Sequence, residues 1–128
     1  MSSKKPTWIV FNELSGGTPD GSRSACLRDY VNDIAQEHEE EIARYLETAP
    51  SYSAMGKVVG DVLDPGANVV LFPGKRTDGV FVWPAEIAYY VRRYHLRLPN
   101  ELVERMASLN WQPPTDEQID WKQLGMTK

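Results

Sequence analysis

"NVVLFPGKRTDGVFVWP", residues 68 to 84, holds the densest set of strand and turn signals in this sequence. Two β-branched and aromatic runs, "NVVLF" and "VFVW", bracket the connection "PGKRTDG". Such runs, joined by a segment ending in Asp-Gly, predict a β-hairpin, here over residues 69–83. Pro84 then opens a helix, because a proline at the first helical position gives up an N–H that would have no partner anyway. Ile87, Tyr90, Val91 and Tyr94 fall at i, i+3, i+4 and i+7, which makes them the core-facing stripe of that helix. Tyr89, Arg92, Arg93 and Arg97 are left on or beside its outer face.

Upstream, "TWIVF" (7–11) is a short β-prone run, and "SGGTPDGS" (15–22) reads as a loop. A long helical pattern starts near Ser24, with Leu27, Tyr30, Val31, Ile34, His38, Ile42, Tyr45 and Leu46 on one stripe, and stops before Pro50. Residues 50–68 read mostly as loop, with one short strand near Val58 and Val59. Downstream, a third helix carries Leu102, Val103 and Met106 inward. Thr115 and Gln118 at capping-box spacing predict a short terminal helix. These elements define an α+β domain: a small antiparallel sheet including the 69–83 hairpin, packed against one long helix and two or three shorter ones. Residues 1–128 form one domain, and 1–6 are expected to be a flexible tail.

Composition narrows the function classes. At 128 residues, 41% apolar and 25% charged, the chain can build its own core without disulfide or metal. One cysteine, Cys26, gives no internal disulfide, no apolar run is long enough for a membrane span, and "MSSKKPTW" lacks the apolar region of a signal peptide. The expected location is the cytoplasm. A net charge of −4 disfavours a dedicated nucleic-acid binder. That charge is unevenly spread: residues 24–48 carry seven acids against two bases, whereas residues 75–97 carry five bases against two acids.

Counting ligands removes most catalytic classes. With one Cys and two His the chain cannot make a structural zinc site, "HEEEI" (38–42) has Ile42 where a metalloprotease needs its second histidine, and the zinc-deaminase pattern needs cysteines that are absent. No cofactor is expected. His38 reads as a boundary histidine, Cys26 as a small core residue and His95 as an ordinary helix-end residue. Asp61, Asp64 and Asp78 could converge as catalytic carboxylates, although Asp64 in "LDPG" and Asp78 in "TDG" are also what β-turns require.

Two surfaces remain as partner-binding candidates. The acidic helix turns Asp33, Glu37, Glu40, Glu41 and Glu47 away from the core with few lysines to neutralise them, a face suited to a basic protein partner. Tyr89, Arg92, Arg93 and Arg97 are residue types that concentrate binding energy in interfaces. Arg92 and Arg93, together with Lys75 and Arg76, could instead contact RNA.

"DVLDPG" (61–66), "TDGVFVWP" (77–84), "IAYYV" (87–91) and "YHLRLP" (94–99) resemble a family of small bacterial single-domain proteins of unassigned activity. The resemblance covers about residues 42–108, including "ARYLETAP" (43–50). It implies no catalytic residues. By analogy with other small domains of this kind it implies an immunity protein, one that neutralises a toxin by binding it, with a basic toxin domain as the expected partner. A protein-binding role is thus the leading expectation, with a small carboxylate enzyme or an RNA-contacting accessory domain as alternatives.

Overall fold

The computed structural model describes residues 7–9, 11, 26–54, 56 and 58–121. The tail at 1–6, the loop at 15–22 and the helix start near Ser24 lie outside them. The fold is α+β. Strands β1 (Thr7–Trp8), β2 (Ser51–Ala54), β3 (Gly74–Thr77) and β4 (Phe81–Pro84) form one sheet in the order β1-β4-β3-β2, and helices α1 (Glu39–Thr48), α2 (Ile87–Tyr94) and α3 (Asn100–Ser108) complete the core. The sheet is mixed rather than purely antiparallel, because β1 runs parallel to β4, Thr7 opposite Phe81 and Trp8 opposite Val82.

The hairpin forms, with a different first strand. Its turn is set by Thr77 and Asp78: Asp78 Oδ1 accepts the amides of Val80 and Phe81 at 2.9 and 2.7 Å, and Thr77 Oγ1 donates to the Phe81 carbonyl at 2.7 Å. Gly79, at φ 93°, supplies the left-handed conformation the turn needs. A turn this tight pairs β4 with the residues just before it, Lys75 opposite Pro84 and Thr77 opposite Val82. The apolar run 68–72 is left out of the sheet. Among the described residues it meets strand-like structure through a bridge between Leu71 and Val59, with N–H···O distances of 2.8 and 2.9 Å in the two directions. Pro84 therefore closes β4 instead of opening α2. It can sit there because β-ladder positions at a strand end tolerate a missing donor.

The long helix expected from Ser24 to Ala49 is divided. A 3₁₀ turn spans Leu27–Tyr30, and α1 begins only at Glu39. Asn32 Oδ1 accepts the amides of Asp33 and Ile34 at 3.0 and 3.4 Å, the local competition by which asparagine disfavours helix. The intervening backbone is then laced to the α2–α3 connection. Asn32 donates to the Tyr94 carbonyl at 3.0 Å, Arg97 N–H to the Tyr30 carbonyl at 2.8 Å, and Gln36 Nε2 to the Leu96 carbonyl at 2.7 Å. Ile34 is exposed and His38 is no stripe residue: it sits at the left-handed position before α1, with φ 60°. Glu39, Glu40 and Glu41 then open α1, where carboxylates complement the helix dipole.

Trp83 joins the layers. It is fully buried, its Nε1 donates to the Leu46 carbonyl at 3.0 Å, and its ring lies 6.0 Å from that of Tyr45. Ile42, Leu46, Ile87, Tyr90, Val91, Leu102 and Met106 close around it. Tyr94, expected in that core, is only half-buried. The terminal helix reduces to a 3₁₀ turn at Asp116–Gln118, with the Thr115 amide donating to Gln118 Oε1 at 2.8 Å. Among the described residues no helix is long and apolar enough to cross a membrane.

Candidate functional site

The loop from Val58 to Phe72 is fixed onto α2 by one carboxylate. Asp61 Oδ2 accepts the hydroxyls of Tyr89 at 2.7 Å and Tyr94 at 2.5 Å, while its Oδ1 accepts the amides of Leu63 and Asp64 at 2.7 and 3.1 Å. Tyr90 completes the attachment by accepting the Val62 amide at 3.0 Å. Burial works to raise the Asp61 pKa, but the hydrogen bonds from Tyr94, Tyr89 and the two amides outweigh it and hold the carboxyl below its ordinary range. Burial is the leading cause that pushes the Tyr90 hydroxyl up to about 12. It also raises the hydroxyls of Tyr89 and Tyr94, with Asp61 adding to the effect.

Asp78 belongs to a different network. Beyond its turn bonds, Oδ2 accepts from the Tyr45 hydroxyl at 2.6 Å and from Arg105 Nε at 2.9 Å, and Arg105 Nη2 donates to the Asp78 carbonyl at 3.0 Å. Asp64 serves a turn, its carbonyl accepting the Ala67 amide at 2.9 Å. The oxygens of Asp61 and Asp78 are thus occupied by separate sets of donors. Among the described residues, no three His, Cys, Asp or Glu side chains gather as metal ligands would.

The acidic and basic segments meet each other. Arg92 of α2 reaches Glu40 and Glu47 of α1 through four bonds: Nε to Glu40 Oε1 at 3.0 Å, Nη2 to Glu40 Oε2 at 2.9 Å, Nη1 to Glu47 Oε2 at 2.7 Å and Nη2 to Glu47 Oε1 at 2.8 Å. Those hydrogen bonds hold both glutamates below their ordinary pKa. Arg44 of α1 itself stands 3.9 Å from Glu40, but the closer neutralising cation comes from the neighbouring helix. Of the other candidates, Glu41 meets His38 Nδ1 at 2.9 Å, and Glu37, 90% exposed, lies 3.3 Å from His38 Nε2. Arg97 caps the backbone, Nη1 to the His95 carbonyl at 3.1 Å and Nη2 to the Ile34 carbonyl at 2.8 Å. Arg93 is exposed, its guanidinium 5.3 Å from the Tyr94 ring centre.

Sequence patterning missed the apolar part of this surface. Val70 and Phe72, read as strand residues, are 61% and 70% exposed. They border a cleft of about 220 Å³ lined by Glu47, Leu71, Arg76, Glu86, Ala88 and Tyr89 as well. Glu47 and Tyr89 also line an adjoining groove with Arg92 and Arg93. One continuous face therefore runs from Phe72 across Tyr89 to Arg93. Glu86 is buried in it. Burial raises its pKa, against its own backbone N–H and the charge of Lys75, and burial lowers that of Lys75 against Glu86. A lone acid inside the apolar stretch "VFVWPAEIA" (80–88) was the available signal for this residue.

Comparison of the chain with family models, curated proteins and solved structures gives no match.

Proposed function

We propose that this chain is a non-catalytic protein-binding domain, most concretely a cytoplasmic bacterial immunity protein that neutralises a basic toxin by direct contact through the Phe72–Arg93 face. The observation that carries this reading is that Val70 and Phe72 are displayed to solvent by a loop that Asp61, Tyr89, Tyr90 and Tyr94 fasten to a helix. Leaving large apolar side chains exposed in one patch forgoes the stabilisation their burial would give, and such patches with polar rims mark interaction surfaces. Fastening the loop in advance removes ordering cost at the moment of association. Tyr89 and Arg93 beside the apolar pair are the side chains that carry binding energy in interfaces. The sequence resemblance supports the immunity reading, and the net charge of −4 favours a basic partner.

The test is capture of partners from native lysate by the tagged wild-type chain and by Phe72→Ser, followed by mass measurement of the eluted complex. The expected result is a one-to-one complex with a basic protein, lost with Phe72→Ser while the melting temperature stays unchanged. Equal capture by both proteins removes this face from the reading.

A further inference from the structure

Among the residues lining the cleft beside Phe72 is one, Glu86, whose carboxyl bonding is unfinished. Glu86 is 6% exposed, and its buried Oε1 has no hydrogen-bond partner among the described residues. Native proteins seldom leave such an atom unpaired, and each instance calls for an explanation. Nearby cations do not supply the missing bond. Lys75 acts on Glu86 through space, with its ammonium 5.9 Å from the centre of the Trp8 ring, and Arg76 Nη1 is turned to the Ala49 carbonyl at 2.6 Å. Glu47, also in the cleft, is engaged by Arg92.

Around Glu86 the cleft is lined by Val70, Leu71, Phe72, Ala85, Ala88 and Tyr89, with Glu47 and Arg76 as its other charged members. At about 220 Å³ the cleft falls below the roughly 300–1,000 Å³ of sites that enclose a metabolite, and matches a single side chain better. An occupant that meets both the apolar lining and the acidic group is slender, apolar along its length and tipped with donors, a positive charge adding to the attraction. Lysine and arginine have this form, an aliphatic stem carrying a charged head. We infer that the Glu86 cleft receives one lysine or arginine side chain of the protein partner, its stem along Leu71, Phe72 and Ala88 and its head donating to Glu86. This deepens the contact-face reading above and rests on it: the basic character assigned to the partner acquires a specific seat.

The seat can be tested without the partner. The full-length chain is titrated with n-butylamine and with n-butylguanidine, and in parallel with 1-butanol, while backbone amide shifts are followed by NMR. Saturable shifts confined to Leu71, Phe72, Glu86 and Ala88 are expected with the two cations and not with the alcohol. Glu86→Gln, which keeps the shape and removes the charge, should weaken cation binding about tenfold or more. Equal responses to amine and alcohol, no saturable response to the cations, or undiminished binding by Glu86→Gln would each overturn the inference. Should that variant fail to fold, the amine–alcohol comparison on the wild-type chain decides alone. If the titration fails while capture still depends on Phe72, the contact face stands and only the seat is lost.

Discussion

Asp61 and Asp78 do the same chemistry in two different places. Each uses one oxygen to accept backbone amides of its own loop and the other to accept side-chain donors from helices. Asp78 ties the β3–β4 turn to Tyr45 of α1 and Arg105 of α3, so its bonds join the sheet to both helices in the core. Asp61 ties a surface loop to Tyr89 and Tyr94 of α2, and what it positions is an apolar display. Identical local wiring holds the fold in one case and the proposed contact face in the other. The distinction lies in what stands behind each aspartate.

Removing each in turn separates the two roles. Asp78→Ala strands the Arg105 guanidinium and the buried Tyr45 hydroxyl and unties the turn, so it should cost about 3–5 kcal/mol, the range for breaking a buried pair. Urea unfolding followed by circular dichroism measures this, and a loss under about 1 kcal/mol, the worth of an exposed pair, would place Asp78 outside the core. Asp61→Asn keeps an acceptor for the amides of Leu63 and Asp64 but turns an N–H toward two tyrosine hydroxyls. It should cost about 1–3 kcal/mol. The more telling readout is local: hydrogen exchange at the Val59 and Leu71 amides should quicken, with Ile42 and Leu46 left protected.

The same loop carries a pH signature. The folded-state pKa of Asp61 lies below its ordinary value, so its contribution is complete above the unfolded value, about 3.9, and is lost as pH falls through the folded one. Acid should therefore release Val59 and Leu71 in the wild-type chain, and Asp61→Asn should abolish that dependence.

The two aspartates also mark how far the sequence could be read. "TDG" and "LDPG" announce turns because their chemistry is contained within a few residues. Strand assignment failed between them because hydrophobicity and burial part company there: Val70 and Phe72 are exposed, whereas Lys75 and Thr77 are buried in β3. A lysine can occupy such a place by burying its stem, and no local pattern reveals that. The break in the first helix depends on Asn32, Gln36 and Arg97 bonding across some sixty positions of chain, beyond the reach of periodicity. At the proposed contact face Tyr89, Arg92 and Arg93 were legible by residue type, but not which of them the fold would employ internally.

Arg92 gives the smallest predicted effect and the sharpest contrast with both aspartates. It lies on the proposed contact face, yet its hydrogen bonds run to Glu40 and Glu47 of its own chain, and the cluster stands in solvent where side-chain entropy and salt oppose it. Arg92→Ala should lower the melting temperature less than Asp61→Asn does, and the difference from wild type should shrink as salt is added. Because the hydrogen bonds from Arg92 are what hold Glu40 and Glu47 below their ordinary pKa, the carboxyl titrations of both, followed by ¹³C NMR, should move upward in the variant. A loss as large as that of Asp61→Asn and indifferent to salt would make the clamp part of the core. In that case the boundary between fold and face lies one helix turn further out, at Arg93.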